Sequence, residues 1–209
     1  MQHKERQLLP KSFYLGTDVV SSSRQLLGKV LATRVDGVYT AGIITETEAY
    51  AGAIDRASHA FGNRRTARTE VMFGEGGRAY VYLIYGIHCL FNVVIGPEEV
   101  PLAVLVRGIE PLEGVDIMLR RRQLKEVKPQ LGAGPGAAAQ ALGITRLLNG
   151  EDLTQSNQIW IEDRGIKVPA ADIASGTRVG VAYAQEDALL PYRFFIKGNP
   201  FVSKAKGIG

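Results

Sequence analysis

K-V-L-A-T-R-V-D-G-V-Y-T-A-G-I-I-T-E-T, Lys29 to Thr47, is the stretch that decides the fold of this chain. Two runs rich in β-branched residues, Lys29–Val35 and Val38–Thr47, meet at Asp36-Gly37. That pair tolerates the two positive φ angles of a tight hairpin turn, so the runs read as antiparallel neighbours. The same grammar recurs downstream: Ala79–Tyr85 and His88–Ile95 meet around Gly86, and Leu102–Ile109 follows as a further strand. Strands are also expected at Ile159–Glu162, Arg178–Tyr183 and Tyr192–Lys197. Helical signals are fewer. Asp18 can cap a helix running to Leu27 with Gly28 as its stop, Glu113–Leu124 is helical, and Leu131–Gly143 is a Gly-Pro turn into an Ala-rich helix. Strands joined as hairpins with few helices between them predict a mainly antiparallel sheet in a mixed α+β fold.

At 209 residues, 45% hydrophobic and 22% charged, the chain is long enough for one real core. No repeat or low-complexity linker divides it, so residues 1–10 are expected as a flexible N-terminal arm and 11–209 as a single domain. The formal charge of +4 suits a nucleic-acid partner and equally a merely soluble basic protein. Its distribution is more telling: Arg56, Arg64, Arg65 and Arg68 form one cluster and Arg120, Arg121 and Arg122 another. Cys89 is the only cysteine, which excludes an intramolecular disulfide and a cysteine-based metal site; in its apolar run it reads as a buried structural thiol. No run approaches the ~18 apolar residues of a membrane span, and the N-terminus lacks the apolar stretch of a signal peptide. A cytoplasmic location is expected.

Chemistry concentrates between Glu46 and Asn92. In E-T-E-A-Y, an extended backbone puts Glu46, Glu48 and Tyr50 on one face, a carboxylate beside an aromatic plate; a solvated strand edge carries the same pattern. In A-Y-V-Y-L-I-Y-G, Tyr80, Tyr82 and Ile84 share a face and Val81, Leu83 and Tyr85 the other. Tyr82 can therefore line a pocket while Tyr85, beside Gly86, projects elsewhere. A tyrosine there can wedge into a base stack or simply pack across strands. Gly52–Gly77, which holds His59 and the arginines, reads as a long ordered loop of the kind that carries function. The three histidines show no metal-ligand spacing, and G-A-G-P-G at Gly132–Gly136 lacks the lysine and spacing of a phosphate loop, so neither metal nor cofactor is expected. A carboxylate, flat aromatic rings and clustered arginines together are the groups needed to hold an extruded nucleobase and break its sugar bond.

E-T-E-A-Y, S-H-A, R-T-x-R-x-x-x-M-F, A-Y-V-Y-x-I-Y-G, the asparagine of F-N-V-V, L-V-R-G-I-E-P-L-E-G, R-V-G-V and R-F-F-I-K-G-N-P-F-V-S occur here in one order from about Leu15 to Ser203. In that order and spacing the chain resembles the 3-methyladenine DNA glycosylases of the alkyladenine type. The resemblance implies a monofunctional enzyme that flips alkylated or deaminated purines out of double-stranded DNA and excises them by water attack. It also implies a monomer needing no cofactor. The implied architecture is a single domain with a curved, mainly antiparallel sheet flanked by helices and a protruding β-hairpin. Residue by residue, Glu48 aligns with the general base and Arg107 with an arginine near the catalytic water. Tyr50, His59 and Tyr82 align with the side chains around the flipped base, and Leu105 with a pocket-lining leucine. Asn92 aligns with the asparagine that disfavours the 2-amino group of guanine, and Tyr85 with the tyrosine inserted into the gap in the duplex. Arg64 and Arg68 fall in a basic loop suited to phosphate. Ala67 stands where many members have proline, and Ala137 where members commonly have lysine.

Two rival classes use some of the same features. A non-catalytic nucleic-acid-binding module needs basic strands and aromatics but no pocket carboxylate. A hydrolase of small nucleosides needs the carboxylate but neither Tyr85 nor the arginine loop.

Overall fold

Turn chemistry sets the strand pairing. In the computed structural model, which describes residues 7–205 and 207, Asp36 and Gly37 both take positive φ, 52° and 75°. They close the hairpin between β1 (Val30–Val35) and β2 (Val38–Tyr50). Tyr85 and Gly86, φ 52° and 74°, do the same between β3 (Ala79–Ile84) and β4 (His88–Ile95), with Ile87 N donating to the Ile84 carbonyl at 3.2 Å. β5 (Leu102–Glu113), β6 (Ile159–Glu162), β7 (Ile173–Gly176) and β8 (Arg193–Ile196) complete the strands. The sheet runs β3-β4-β5-β2-β1-β6, with β8 pairing both β2 and β7, and every pairing is antiparallel. Along one edge β2 pairs β1 through Ile43 and then β8 from Glu46 to Glu48, so the sheet forks where the two glutamates lie. The fold is mixed α+β, a single domain around a curled antiparallel sheet.

Period-two alternation divides the faces. Ala79, Val81, Phe91, Val93, Ile95, Val104 and Val106 point into the main core with Leu31, Ile44 and Leu142. That core is covered by α2 (Val19–Gln25), which packs on β2 and β5, and by α4 (Pro135–Leu142), which packs on β4 and β5. α1 (Lys11–Tyr14) and α3 (Val115–Arg122) complete the α-helices among the described residues. Asp18 caps α2 by accepting from Ser21 N at 2.9 Å. Truncating a core side chain such as Phe91 to alanine would cost about 3–5 kcal/mol. The intervening residues, Tyr80, Tyr82, Leu90, Asn92, Ala103, Leu105 and Arg107, line a cavity on the opposite face.

Three expectations change. Arg178–Tyr183 is no strand: the place beside β8 is taken by Ile173–Gly176. Gly180 turns the backbone with φ 76°, and Arg178 is drawn into the interior by Asp55. Tyr85 does not point away from Tyr82; its left-handed backbone breaks the alternation at the turn, and both side chains border the same cavity. The triple arginine of α3 is mostly committed within the protein, with Arg121 donating to Thr40 and Ala141 and Arg122 to the Gln130 carbonyl. Cys89 is a free, half-buried thiol packed against the main core. Of the expected N-terminal arm, residues 1–6 lie outside the described residues. Leu8 bridges Glu162 and Leu9 is buried. No helix among the described residues is long and apolar enough to cross a membrane.

Candidate active site

One row of cross-strand partners builds the cavity wall. Tyr80 stands opposite Asn92, Asn92 opposite Leu105, Leu105 opposite Glu48, and Glu48 opposite Arg193. Directly opposed residues point to the same face, so strand pairing alone gathers these side chains from five strands. Arg107 joins them through an irregularity. The β2–β5 register shifts on either side of Glu46, leaving Thr45 and Arg107 without opposed partners. Such bulges re-aim side chains, and here Arg107 reaches both glutamates.

The cavity has a volume of about 480 Å³, within the usual range for a site that takes a small flat molecule. Tyr50, His59, Tyr82, Asn92, Leu105 and Arg107 border it, as do Arg68 and Tyr85. The structure therefore brings together every sequence-predicted pocket residue except Glu48, which lies fully buried directly behind the wall. Glu48 Oε2 accepts from Tyr50 Oη at 2.8 Å and Oε1 from Val179 N at 2.7 Å; Arg107 Nη1 stands 3.4 Å from Oε1. Each oxygen thus holds one short hydrogen bond from the protein, and a carboxylate oxygen can accept two. Tyr50, Val179 and Arg107 all border the cavity, so the carboxylate is one side chain away from whatever enters.

Beside Glu48 sits a second buried carboxylate. Glu46 Oε1 accepts from Arg107 Nε at 3.0 Å, Arg193 Nε at 2.7 Å and Ser203 Oγ at 2.9 Å; Oε2 accepts from Ser203 N at 2.7 Å. Two carboxylates and two guanidiniums balance in charge, which is how four ionised groups survive out of water. Arg107 is held ionised beyond the ordinary arginine range: burial opposes its charge, but the Glu48 and Glu46 carboxylates outweigh that.

The aromatic walls are fixed from behind. Arg178, fully buried, pairs with Asp55 through both terminal nitrogens, at 2.5 and 2.9 Å, and donates to the carbonyls of Ala49 and Asp187. Its guanidinium lies 4.9 Å from the Tyr50 ring and 5.3 Å from that of Tyr192. Asp55 in turn accepts from the backbone of Ala51 and Ala57, which shapes the loop leading to His59. Burial and the neighbouring Glu48 push the Tyr50 hydroxyl well above its ordinary value, so it remains a proton donor to Glu48.

His59 shows its protonation state through its partners. Arg68 Nη2 lies 3.3 Å from Nε2, and a guanidinium can only donate, so Nε2 accepts. Nδ1 then carries the proton and donates to Tyr80 Oη at 2.9 Å. Burial, with Arg68 and Arg64 nearby, lowers the imidazole to about 4, which agrees with a neutral ring. The ring meets Tyr82 edge to face with centroids 4.8 Å apart, and Arg68 stacks 4.5 Å from the Tyr82 centroid. Asn92 Nδ2 donates to the Tyr80 carbonyl at 3.1 Å, which fixes the plane of its amide.

At the mouth, Tyr85 is 87% exposed on its turn, a left-handed conformation that costs an ordinary side chain about 1–2 kcal/mol. Arg64 lies exposed on the loop and, among the described residues, makes no ion pair, whereas Arg65 pairs with Glu70 and Glu99. No group of three or more His, Cys, Asp or Glu side chains among the described residues is placed to hold a metal ion. Sequence reasoning missed Glu46 as a tether, Val179 N, Tyr80 as the partner of His59, Tyr183 in the wall, and the Asp55–Arg178 pair. Of these, Arg178 and Val179 lie in R-V-G-V, Glu46 in E-T-E-A-Y and Tyr80 in A-Y-V-Y, but Asp55 and Tyr183 stand in none of those motifs.

Comparison with known proteins converges on one family. The sequence model of methylpurine-DNA glycosylase matches residues 12–200. A protein of Bacillus cereus (strain G9842) named "Putative 3-methyladenine DNA glycosylase" is 46% identical over 204 residues, covering 93% of this chain and 98% of that one. Proteins of the same name from Chlamydia felis and Clostridium perfringens are 44% and 41% identical, each over 203 residues, and cover 96% and 94% of this chain and 100% and 98% of their own lengths. The match spans both the sheet that forms the cavity and the carboxylate behind it, and the chain belongs to the methylpurine-DNA glycosylase family.

Proposed function

We propose that this chain is a monofunctional glycosylase that extrudes 3-methyladenine and related damaged purines, hypoxanthine and ethenoadenine among them, from duplex DNA and hydrolyses their N-glycosyl bond. The observation that carries this reading is a buried carboxylate, Glu48, bonded through Tyr50 and beside Arg107 to an aromatic cavity bordered by the exposed Tyr85 and by Arg68. The base stacks among Tyr50, His59 and Tyr82. A neutral His59 suits a substrate that is itself a cation, because an imidazolium would repel it. Water, reaching Glu48 past Arg107, gives up its proton to the carboxylate as its oxygen bonds to C1′. The bond to the base breaks with its electron pair leaving on the base, through an oxocarbenium-like state that the charge of Glu48 also stabilises.

Asn92, held by the Tyr80 carbonyl, crowds the position of the 2-amino group of guanine. Tyr85 fills the gap in the stack, and Arg64 and Arg68 meet phosphate. None of the proposed site residues is lysine, so no Schiff base forms and the product is an intact abasic strand. The cavity is built from one chain, and the enzyme acts as a monomer.

Single-lesion duplexes carrying 3-methyladenine, 7-methylguanine, hypoxanthine or ethenoadenine, run beside the free nucleosides, test the reading. Free base should appear from duplex and not from nucleoside, and strands should break only after alkali. Tight duplex binding without base release would leave a binding module instead, and release from nucleosides alone a small-molecule hydrolase.

A further inference from the structure

We infer that Glu46 is a positioning residue for the reaction: it tethers Arg107 so that Arg107 approaches Glu48 without saturating it. The inference rests on the proposed roles of Glu48 and Arg107. Arg107 could satisfy its charge by closing on Glu48 as a two-pronged pair, the preferred geometry of a guanidinium and a carboxylate. It does not. Its Nε is bonded to Glu46 at 3.0 Å, and Nη1 is left 3.4 Å from Glu48. A carboxylate gripped by two parallel hydrogen bonds would have less lone-pair capacity for a water proton, so the tether preserves Glu48 as a base.

The same tether keeps Arg107 on the cavity wall. The bulge leaves Arg107 on the cavity face of β5 without an opposed residue, and Glu46, on the neighbouring strand, receives it there. Glu46 itself cannot follow Arg107 elsewhere, because Arg193 Nε, Ser203 N and Ser203 Oγ hold it from the other side. Arg193 is anchored in turn on the carbonyls of Ser203 and Ala205. The segment from Ser203 to Ala205 therefore closes the back of the site, and a residue far from the cavity in sequence sets the angle of Arg107. Glu46 touches neither the cavity nor, in this reading, the substrate; its whole effect on the rate passes through Arg107.

That last statement is what a double-mutant cycle measures. Base release would be followed under single-turnover conditions, with enzyme in excess, for the wild type, Glu46→Gln, Arg107→Gln and the double variant. Glu46→Gln should slow release about 10- to 100-fold, the range for losing a hydrogen bond to a charged group. Affinity for a duplex bearing an abasic-site analogue should be unchanged, because the DNA contacts lie at the mouth. In the Arg107→Gln background, Glu46→Gln should change the rate by no more than about 2-fold, within the additivity error of independent sites.

Equal losses in both backgrounds would overturn the inference and make Glu46 a residue of the fold alone. If Glu46→Gln fails to fold, Ser203→Ala serves: without uncovering a charge it removes one donor from Glu46 and the 3.5 Å contact from Arg107 Nη2 to Ser203 Oγ, and so loosens the same tether from both ends. It should slow release in the Arg107 background and leave Arg107→Gln untouched, and any other pattern counts against the tether. A wild-type protein that releases no base from any lesion duplex would instead remove the proposed function itself.

Discussion

The floor and the mouth of the cavity are built in opposite ways. At the floor, Glu46 and Glu48 are fully buried and Arg107 nearly so, and every one of them has short contacts to named partners. At the mouth, Tyr85 is exposed on a strained turn, and on the loop that carries His59 the exposed Arg64 makes no ion pair among the described residues. A buried charge needs its partners to exist at all, so the floor is rigid by necessity. An exposed aromatic ring in a costly backbone conformation has no such internal reason and points to something outside the protein. In the proposed function the contrast divides the work: chemistry at the floor, contact with DNA at the mouth. Substitutions at the two places should accordingly fail in different ways.

The largest loss of stability is expected at the Asp55–Arg178 pair behind Tyr50. Arg178→Met leaves the Asp55 carboxylate buried without its cation and should lower unfolding free energy by about 3–5 kcal/mol, read by chemical denaturation. The double change Arg178→Met with Asp55→Asn should recover part of that. A loss under about 1 kcal/mol, the scale of an exposed ion pair, would mean that the pair is not the keystone of the floor.

At the mouth the expected losses are of binding, with the fold intact. Tyr85→Ala should weaken base extrusion by about 1–3 kcal/mol, the scale of aromatic stacking on a base, while thermal stability stays level, because alanine keeps the Cβ that strains the turn. A fluorescent base analogue opposite a mismatch reports the extrusion, and an unchanged signal would remove Tyr85 from it. Asn92→Ser lies between the two regions and should change selectivity: release of undamaged guanine should rise above background while excision of alkylated adenine changes less. Guanine release that stays at background in an active, folded variant would place selectivity on other wall residues.

The smallest effect separates two adjacent arginines. Non-specific binding to undamaged duplex should weaken with salt, and Arg64→Ala should flatten the slope of log K against log salt by about 1 if Arg64 meets a phosphate. Arg65→Ala should leave the slope unchanged, because Glu70 and Glu99 already hold that guanidinium. Equal flattening by both variants would show that the ion pairs open on DNA.

Much of this architecture is legible in local chemistry. Asp36-Gly37 and the neighbourhood of Gly86 announce hairpins, and alternation along Ala79–Ile95 separates core residues from those facing the cavity. What local pattern cannot show is anything decided by a distant partner. V-G-V after Arg178 alternates like a strand, but Ile173–Gly176 takes the place beside β8 and Asp55, more than a hundred residues earlier, draws Arg178 inward. Alternation sends Tyr85 away from Tyr82, and the left-handed turn brings it back. Glu46 and Glu48 look equivalent in E-T-E-A-Y. Only the bulge at Arg107 and the return of Ser203 make one a tether and leave the other beside the cavity.

The division between floor and mouth is tested most directly at Glu48. Single-turnover release of 3-methyladenine from duplex should fall by about 10² to 10⁴ in Glu48→Gln, the range for removing a general base. Affinity for a duplex carrying an abasic-site analogue, measured on the same preparation, should remain close to that of the wild type. Near-normal release by Glu48→Gln, or parallel loss of release and of binding, would contradict the account.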